Sequence, residues 1–475
     1  MTKKVIWYFS PSLLSGVLGV ASLYLLTSYL NVNQFGQIEL FLVILLALKY
    51  ILGFGWDSSL IRFYNDKNEN KYDIASSIFI FRAVLHILAI ILFYFFSDFF
   101  LSLLKIDKNF LDLFWIILAI FILEDYLSFF ILIFRSENQA KSFGILQISQ
   151  HILIFILLVI FILNLDLKIY ALFYSYFFAK IIILLIAIVK YKKYLLKKQK
   201  LDVFINIKKS FNFGFPLVFA AISFFVINFS DRYMLNLLLE ENLALKEIGF
   251  YSFYTKIATS FLMFLIIFRM IWSPLVIKYY KYINYKKIFK YLVLFFVTLS
   301  ISIALFVSLF SYEILSIFSG NDDYLLKHNS LALVFITQIL ILLGDYTPIG
   351  IDIKKKTIYR SIFATLFAIV NIILNYLFIP LYMLEGALIA SILSMLGYVV
   401  LINVLSYKLY KLSLNYFEFL VGLIPLIGMY YFSEIDFIDR IYIFLIFGVL
   451  IGFYIKKNFE NFKLCFITLK KNKIL

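Results

Sequence analysis

Apolar residues run along this chain in long unbroken stretches, and polar residues gather in short clusters between them. Neither the period-two alternation of a half-buried strand nor the one-sided stripe of a surface helix recurs, so the pattern predicts helices that are apolar all round. A helix needs roughly 20 apolar residues to cross a bilayer. Fourteen stretches qualify: 11–30, 37–60, 76–96, 113–134, 144–163, 169–189, 212–238, 248–272, 288–311, 330–350, 358–379, 386–406, 415–432 and 440–456. The missing alternation excludes a β-barrel. The first stretch follows Lys3 and Lys4 but is too long for a signal-peptide core, so it is predicted to be kept as the first span. The expected fold class is an all-α integral membrane protein of about fourteen helices.

Composition agrees with a membrane solvent. Hydrophobic residues make up 64% of the chain and charged residues 15%, against about 25% charged in soluble domains. Aromatic residues reach 20%, which suits interfacial belts and lipid-facing walls. The single cysteine, Cys465, excludes a disulfide within the chain and a cysteine metal site.

Charge orients the helices. With the N-terminus on the cytoplasmic side, the inside segments 1–10, 61–75, 135–143, 190–211, 273–290, 351–360, 407–414 and 456–475 hold 32 of the 44 Lys and Arg residues. The outside loops hold 6, at Lys105, Lys108, Lys168, Lys246, Lys327 and Arg440. Such asymmetry follows the positive-inside rule and predicts an inner-membrane protein with both termini cytoplasmic. The net charge of +16 is thereby a topology signal, and nucleic acid is not an expected partner.

A repeat divides the chain. Phe35 and Gly36 open the second stretch, which ends Arg62, Phe63, Tyr64; Ile248 and Gly249 open the eighth, which ends Lys278, Tyr279, Tyr280. Six helices separate the copies, so both enter from the same side, as in a parallel repeat. The expected organisation is a first lobe at 1–189, a basic cytoplasmic linker at 190–211, a second lobe at 212–406, and two further helices with a basic tail at 407–475.

Ionisable groups inside a membrane are costly and generally face a polar interior. Lys49, Lys180, Glu124 and Asp125 fall near the midplane; Asp231, Arg232 and Lys256 fall in the outer third; Arg82, Arg269 and Asp345 fall in the inner third. Asp57 and Arg62 mark the inner end of the second stretch. The six cations Lys49, Lys180, Arg232, Lys256, Arg82 and Arg269 come from both halves, and two lobes meeting face to face would gather them around one cavity. Such a cavity suits a pyrophosphate or acidic-sugar headgroup, held bidentately by Arg and as a point charge by Lys. Glu124, Asp125, Asp231, Asp345 and Asp57 are candidates for ion coupling or for charge pairing. The bland reading is that Arg82, Arg269 and Arg232 snorkel to the interface and the acids only balance charge. Adjacent residues differ by about 100° on a helix, so Asp231 and Arg232 need not share a face.

Other chemistry is sparse. His86, His151 and His328 are scattered, and no metal is expected. No phosphate-binding glycine loop, nucleophile–histidine pattern or large soluble loop suggests ATP use or an enzyme. Pro216 and Pro425 fall within predicted helices, where they can kink them.

Three stretches carry a family resemblance. Leu30 to Gln37 (LNVNQFGQ) precedes Gly55 to Tyr64 (GWDSSLIRFY); Phe213 to Leu217 (FGFPL) precedes Asn228 to Leu235 (NFSDRYML); Ile248 to Ala258 (IGFYSFYTKIA) precedes Trp272, Ser273 and Pro274. In this order and spacing the chain resembles the polysaccharide or O-antigen flippase family of the multidrug/oligosaccharidyl-lipid/polysaccharide exporter superfamily. The likeness extends over about 5–455. It implies two six-helix lobes in a V plus two C-terminal helices, alternating access around a cationic cavity, and undecaprenyl-pyrophosphate-linked oligosaccharide as the cargo. It also implies an ion gradient, of H+ or Na+, in place of a cofactor. Asp231, Arg232 and Lys256 match the family pattern most directly. Membrane lipids and a polysaccharide polymerase are the implied neighbours. Two rivals stand beside this reading: a cation-coupled multidrug exporter of the same superfamily, whose cavity ought to be acidic, and an envelope assembly scaffold that transports nothing.

Overall fold

The computed structural model describes residues 2–53, 55–66, 69–191, 203–281, 285–411 and 422–471. Most of them are helical, and no strand occurs among them. In chain order the helices are α1 (Thr2–Tyr29), α2 (Val32–Leu52), α3 (Trp56–Tyr64), α4 (Lys71–Leu103), α5 (Leu111–Ser136), α6 (Ala140–Leu163), α7 (Ile169–Tyr191), α8 (Val203–Leu238) and α9 (Glu241–Phe261). Then follow α10 (Met263–Tyr279), α11 (Tyr285–Leu309), α12 (Ser311–Phe318), α13 (Leu331–Tyr346), α14 (Ile349–Ile353), α15 (Ile358–Leu409), α16 (Ile424–Phe432) and α17 (Phe437–Lys471). The chain forms two compact units, Met1–Gly249 and Phe250–Leu475.

Eleven helices among the described residues are long and apolar enough to cross a bilayer, which makes this a multi-pass membrane protein. Eleven is a count of the described residues and does not fix the expected number of about fourteen; three stretches account for the difference. The 52 residues of α15 would run roughly 78 Å at 1.5 Å per residue, more than twice a bilayer core. They break at Met383 (φ 50°, ψ −120°), just after Pro380, and the chain turns back so that Asn371 donates to Ser391 Oγ at 3.3 Å and Ser394 Oγ at 3.2 Å. The stretch expected at 248–272 is divided between α9 and α10 at Leu262. The stretch expected at 415–432 begins in residues outside those described, and only α16 is seen.

The stretch expected at 37–60 is likewise two helices. α2 starts from a capping box in which Asn31 Oδ1 accepts from Gln34 N at 2.9 Å and Gln34 Oε1 accepts from Asn31 N at 3.2 Å. It stops at Gly53, and Gly55 adopts a left-handed conformation (φ 67°) before α3 begins. Of the segment 190–211, Lys190 and Tyr191 end α7, residues 192–202 lie outside the described residues, and 203–211 already belong to α8.

In the first unit, α1 packs on α6, α7 on α5 and α6, and α2 on α5 and α8; short α3 is wedged among α4, α5 and α8. α4 and α8 run side by side in the same direction. Asn206 meets Ser77 at one end, and at the other Tyr233 and Asn236 donate to the Leu103 and Leu104 carbonyls. An aromatic core of Trp56, Phe63, Phe129, Phe130 and Phe134 fixes α3 against α5.

The stretches that carry the family resemblance meet at glycines. A Cβ on Gly55 would stand 2.3 Å from the Gly214 carbonyl oxygen. A Cβ on Gly36 would stand 1.8 Å from the Leu245 oxygen, and one on Gly249 would stand 2.3 Å from the Val32 oxygen. Gly36 and Gly249, which open the two stretches expected to repeat, thus lie at one backbone crossing of α2 and α9. Only hydrogen side chains permit it.

In the second unit, α13 is packed between α11 and α15 and is the most enclosed of the candidate spans, while α17 is the least. Tyr254 donates to the Tyr324 carbonyl at 2.9 Å and Trp272 to the Tyr346 carbonyl at 3.0 Å. An apolar groove of about 380 Å³ lies between α11 and the last helices, lined by Leu294, Val297, Ile301, Pro425, Phe447 and Leu450 among others.

Candidate functional site: a charged network inside the first unit

The turn at Gly55 aims the first residues of α3 back toward α4 and α5. Asp57, in the first turn of α3, accepts from Arg82 Nη2 at 2.6 Å and from Ser128 Oγ at 3.2 Å. Arg82 reaches across to α5 as well, where Nη1 donates to Asp125 Oδ1 at 3.1 Å and to the Asp125 backbone oxygen at 2.8 Å. One helical turn beyond Arg82 on the same face of α4, His86 Nε2 faces the other oxygen of Asp125 at 3.3 Å. The His86 ring stands edge-on to Phe121 and Tyr126, and the Arg82 guanidinium lies 5.7 Å from the Phe129 ring. Arg82 does not reach for the interface: its side chain is 1% exposed, and two carboxylates hold it inside.

The neighbouring carboxylate serves a different set. Because Glu124 and Asp125 point about 100° apart on α5, Glu124 turns toward α7 and α2. Lys180 Nζ donates to Glu124 Oε2 at 2.5 Å, and Lys49 Nζ lies 3.9 Å from Glu124 Oε1. The two lysines are unequal. Lys180 is 8% exposed and also lies 5.3 Å from the Tyr176 ring, whereas Lys49 is 50% exposed. Six of the residues singled out from the sequence therefore converge in one unit, as two triads joined through consecutive residues of α5.

The others stand elsewhere. Asp231 and Arg232 are buried on α8; Arg232 Nη1 lies 3.5 Å from the Asn228 oxygen and its guanidinium 5.6 Å from the Phe229 ring. Lys256 is half-buried on α9, and its backbone oxygen accepts from Thr259 and Ser260. Asp345, on α13, lies within electrostatic reach of Tyr398. The backbone of Arg269 is in α10; its side chain lies outside the described residues.

Two members of the network escape reasoning from sequence. His86 looks isolated there, although its i+4 spacing from Arg82 places both on one face of a helix. Ser128 follows Asp125 by three residues on α5, again the same face.

The fold is shared with solved membrane transporters. It is similar to the lipid II flippase MurJ in an inward closed conformation, with a TM-score of 0.74 at 16% identity over 96% of this chain and 99% of that one. It is also similar to an inward-facing multidrug resistance MATE family transporter of the MOP superfamily, with a TM-score of 0.64 at 14% identity over 86% of this chain and 99% of that one. The Vibrio cholerae MATE transporter VcmN in its bent form gives a TM-score of 0.55 at 14% identity over 86% of this chain and 99% of that one. No curated protein sequence matches the chain. The polysaccharide biosynthesis protein family model matches residues 1–280, and the chain belongs to that family. The match spans the whole charged network.

Proposed function

We propose that this protein is a flippase of the cytoplasmic membrane. It moves undecaprenyl-pyrophosphate-linked oligosaccharide repeat units from the inner to the outer leaflet by alternating access, for O-antigen, capsule or exopolysaccharide synthesis. Both termini lie in the cytoplasm, on the side to which the charge census assigns the basic loops. The observation that carries this reading is the Lys49–Glu124–Lys180 triad. Two ammonium groups on one carboxylate leave a net positive centre at membrane depth, and the half-exposed Lys49 can meet an arriving anion. A phosphate oxygen is a better partner for Lys180 than Glu124 only if it brings more charge, and a pyrophosphate does. The apolar groove between α11 and α17 gives further support, because a polyprenyl chain needs an apolar surface while its head crosses.

The test is reconstitution of the full chain in liposomes holding a fluorescent undecaprenyl-pyrophosphate oligosaccharide. Translocation is expected in wild-type protein, and deletion of the gene is expected to leave lipid-linked repeat units on the inner leaflet. Liposomes that export organic cations but leave the pyrophosphate lipid in place would overturn the reading in favour of a multidrug exporter.

A further inference from the structure

Arg82 and Lys180 are both enclosed in the first unit, but they are held in different ways. Arg82 lies between two carboxylates, Asp57 and Asp125, and its planar fork engages both. Lys180 meets a single carboxylate among the described residues, Glu124. Asp125, next along α5, is turned toward Arg82 and His86 and cannot stand in for it. The Tyr176 ring, 5.3 Å from Lys180 Nζ, offers only a π face. Glu124 is itself 32% exposed, and its other oxygen looks toward the half-exposed Lys49 at 3.9 Å, too long for a hydrogen bond. The accessible end of this triad is therefore the Lys49 side of the carboxylate, and its enclosed end is Lys180.

A bare ammonium group among packed helices is expensive. Lys180 needs an anion in every state of the site, including the empty state between one headgroup and the next. Two lysines with no carboxylate would meet that headgroup with two positive charges and release it slowly, whereas transport requires a site that binds firmly enough to load and weakly enough to empty. We propose that Glu124 is a resident anion: it holds Lys180 while the site is empty, gives the lysine up to a pyrophosphate headgroup, and takes it back as the headgroup leaves. The release step rests on the flippase reading; the exchange of anions at Lys180 does not.

The residue types fit an exchange. Ammonium is a compact point charge with three donors on a flexible stem, so one oxygen can replace another with little change of geometry. A guanidinium gripped by two carboxylates has no such freedom, which makes Arg82 a fixed partner and Lys180 an exchangeable one. No covalent bond changes. A phosphate oxygen arriving past Lys49 takes the place of Glu124 Oε2 on Lys180 Nζ, and a second phosphate oxygen engages Lys49. The freed carboxylate turns to its exposed side, where water solvates it. With Glu124 in place the triad carries one net positive charge, and without it two. The carboxylate thus weakens the hold on a doubly charged pyrophosphate, and it is the competitor that refills Lys180 when the headgroup goes.

The experiment compares wild type with E124Q, each as the full chain, in nanodiscs of zwitterionic lipid for binding and in liposomes for flipping. The probes are inorganic pyrophosphate, which reads the headgroup chemistry without a lipid, and the fluorescent undecaprenyl-pyrophosphate oligosaccharide. Expected in E124Q are dissociation constants about tenfold lower for both probes, together with flipping about fivefold slower. Lost packing would weaken binding and slow flipping together, so binding by E124Q that is unchanged or weaker overturns the proposal. Tighter binding with flipping at or above the wild-type rate overturns the release role. Should E124Q not fold, E124D keeps the charge but draws the carboxylate back from Lys180 by one methylene. Its binding is expected to tighten about threefold and its flipping to slow, and binding equal to or weaker than that of wild type overturns the proposal there too. If wild type moves no pyrophosphate lipid but inorganic pyrophosphate still binds more tightly to E124Q, the exchange of anions stands and the flippase reading falls.

Discussion

In the first unit, Arg82 and Lys180 are held within the helix bundle by carboxylates from α3 and α5. In the second unit, three ion pairs sit where helices begin or break. Arg440 at the start of α17 grips Glu313 at the start of α12 through two bonds of 2.7 and 2.9 Å. Arg360 at the start of α15 grips Asp352 on α14 through bonds of 2.9 and 3.2 Å. Lys327 meets Glu385, two residues after the break in α15, at 3.3 Å. Deeper in α15, neutral groups link its two legs: Asn375 donates to Asn371 at 3.0 Å, and Asn371 to Ser391 and Ser394. Ion pairs at helix ends occur in both units, as Lys71–Glu137 does in the first, and the first unit also keeps such pairs within its helix bundle. Exposed charge at helix ends costs little and contributes little, which fits Lys327 best of the three, since Arg440 and Arg360 are more enclosed. Charge held in the bundle is costly to keep, which is the physical reason to look there for function.

The comparison can be broken by mutation. The largest effect is expected for Arg82→Ala, which strands Asp57 and Asp125 without their cation; losing one partner of a buried pair costs about 3–5 kcal/mol. A thermal unfolding curve in detergent matching that of wild type would show that the network is not structural at all. Next comes Gly36→Ala, where the new methyl group meets the Leu245 carbonyl and α2 must move off α9; overpacking of this kind costs about 1–3 kcal/mol. Unfolding temperature reads the cost, and an unchanged value would mean that the crossing is looser than the backbone distances imply.

Lys180→Gln sharpens the distinction between fastening and function. It leaves Lys49 beside Glu124, and a tenfold loss of flipping is expected, or about 1.4 kcal/mol in the barrier. Flipping at the wild-type rate in this variant would place Lys180 among the fasteners. The smallest effect belongs to Lys327→Ala, a partly exposed pair with an expected cost under about 1 kcal/mol and flipping unchanged. A flipping defect there, at normal protein level, would erase the difference between the units.

The sequence left particular marks for these features. Continuous apolar stretches define spans because a bilayer core accepts only helices with their backbone groups satisfied, and this holds without tertiary detail. The same stretches hide two breaks. Gly53 and Gly55 interrupt an apolar run without adding polarity, so hydropathy reads through them into α3. Likewise α15 reads as apolar on both sides of Met383. The network is half legible. Glu124, Asp125 and Lys180 stand out by depth alone, whereas Lys49 does so only while 37–60 is read as one helix and in the structure stands in the last turn of α2. Arg82 and Asp57 look like interface residues, because depth counted from a helix end does not register that α3 folds back on α4. His86 gives no signal, because an isolated histidine acquires meaning only from what faces it.

The sequence by itself determined the solvent, the class of helix and the family, because these depend on residue type, order and spacing. The glycine pairs Gly55–Gly214 and Gly36–Gly249 lie 159 and 213 residues apart, by subtraction of their positions, and only the folded chain brings each pair together. Tertiary structure alone decided which carboxylate answers which cation. Two adjacent acids on one helix face different neighbours, and the choice between them depends on how α2, α3, α4 and α7 pack around α5.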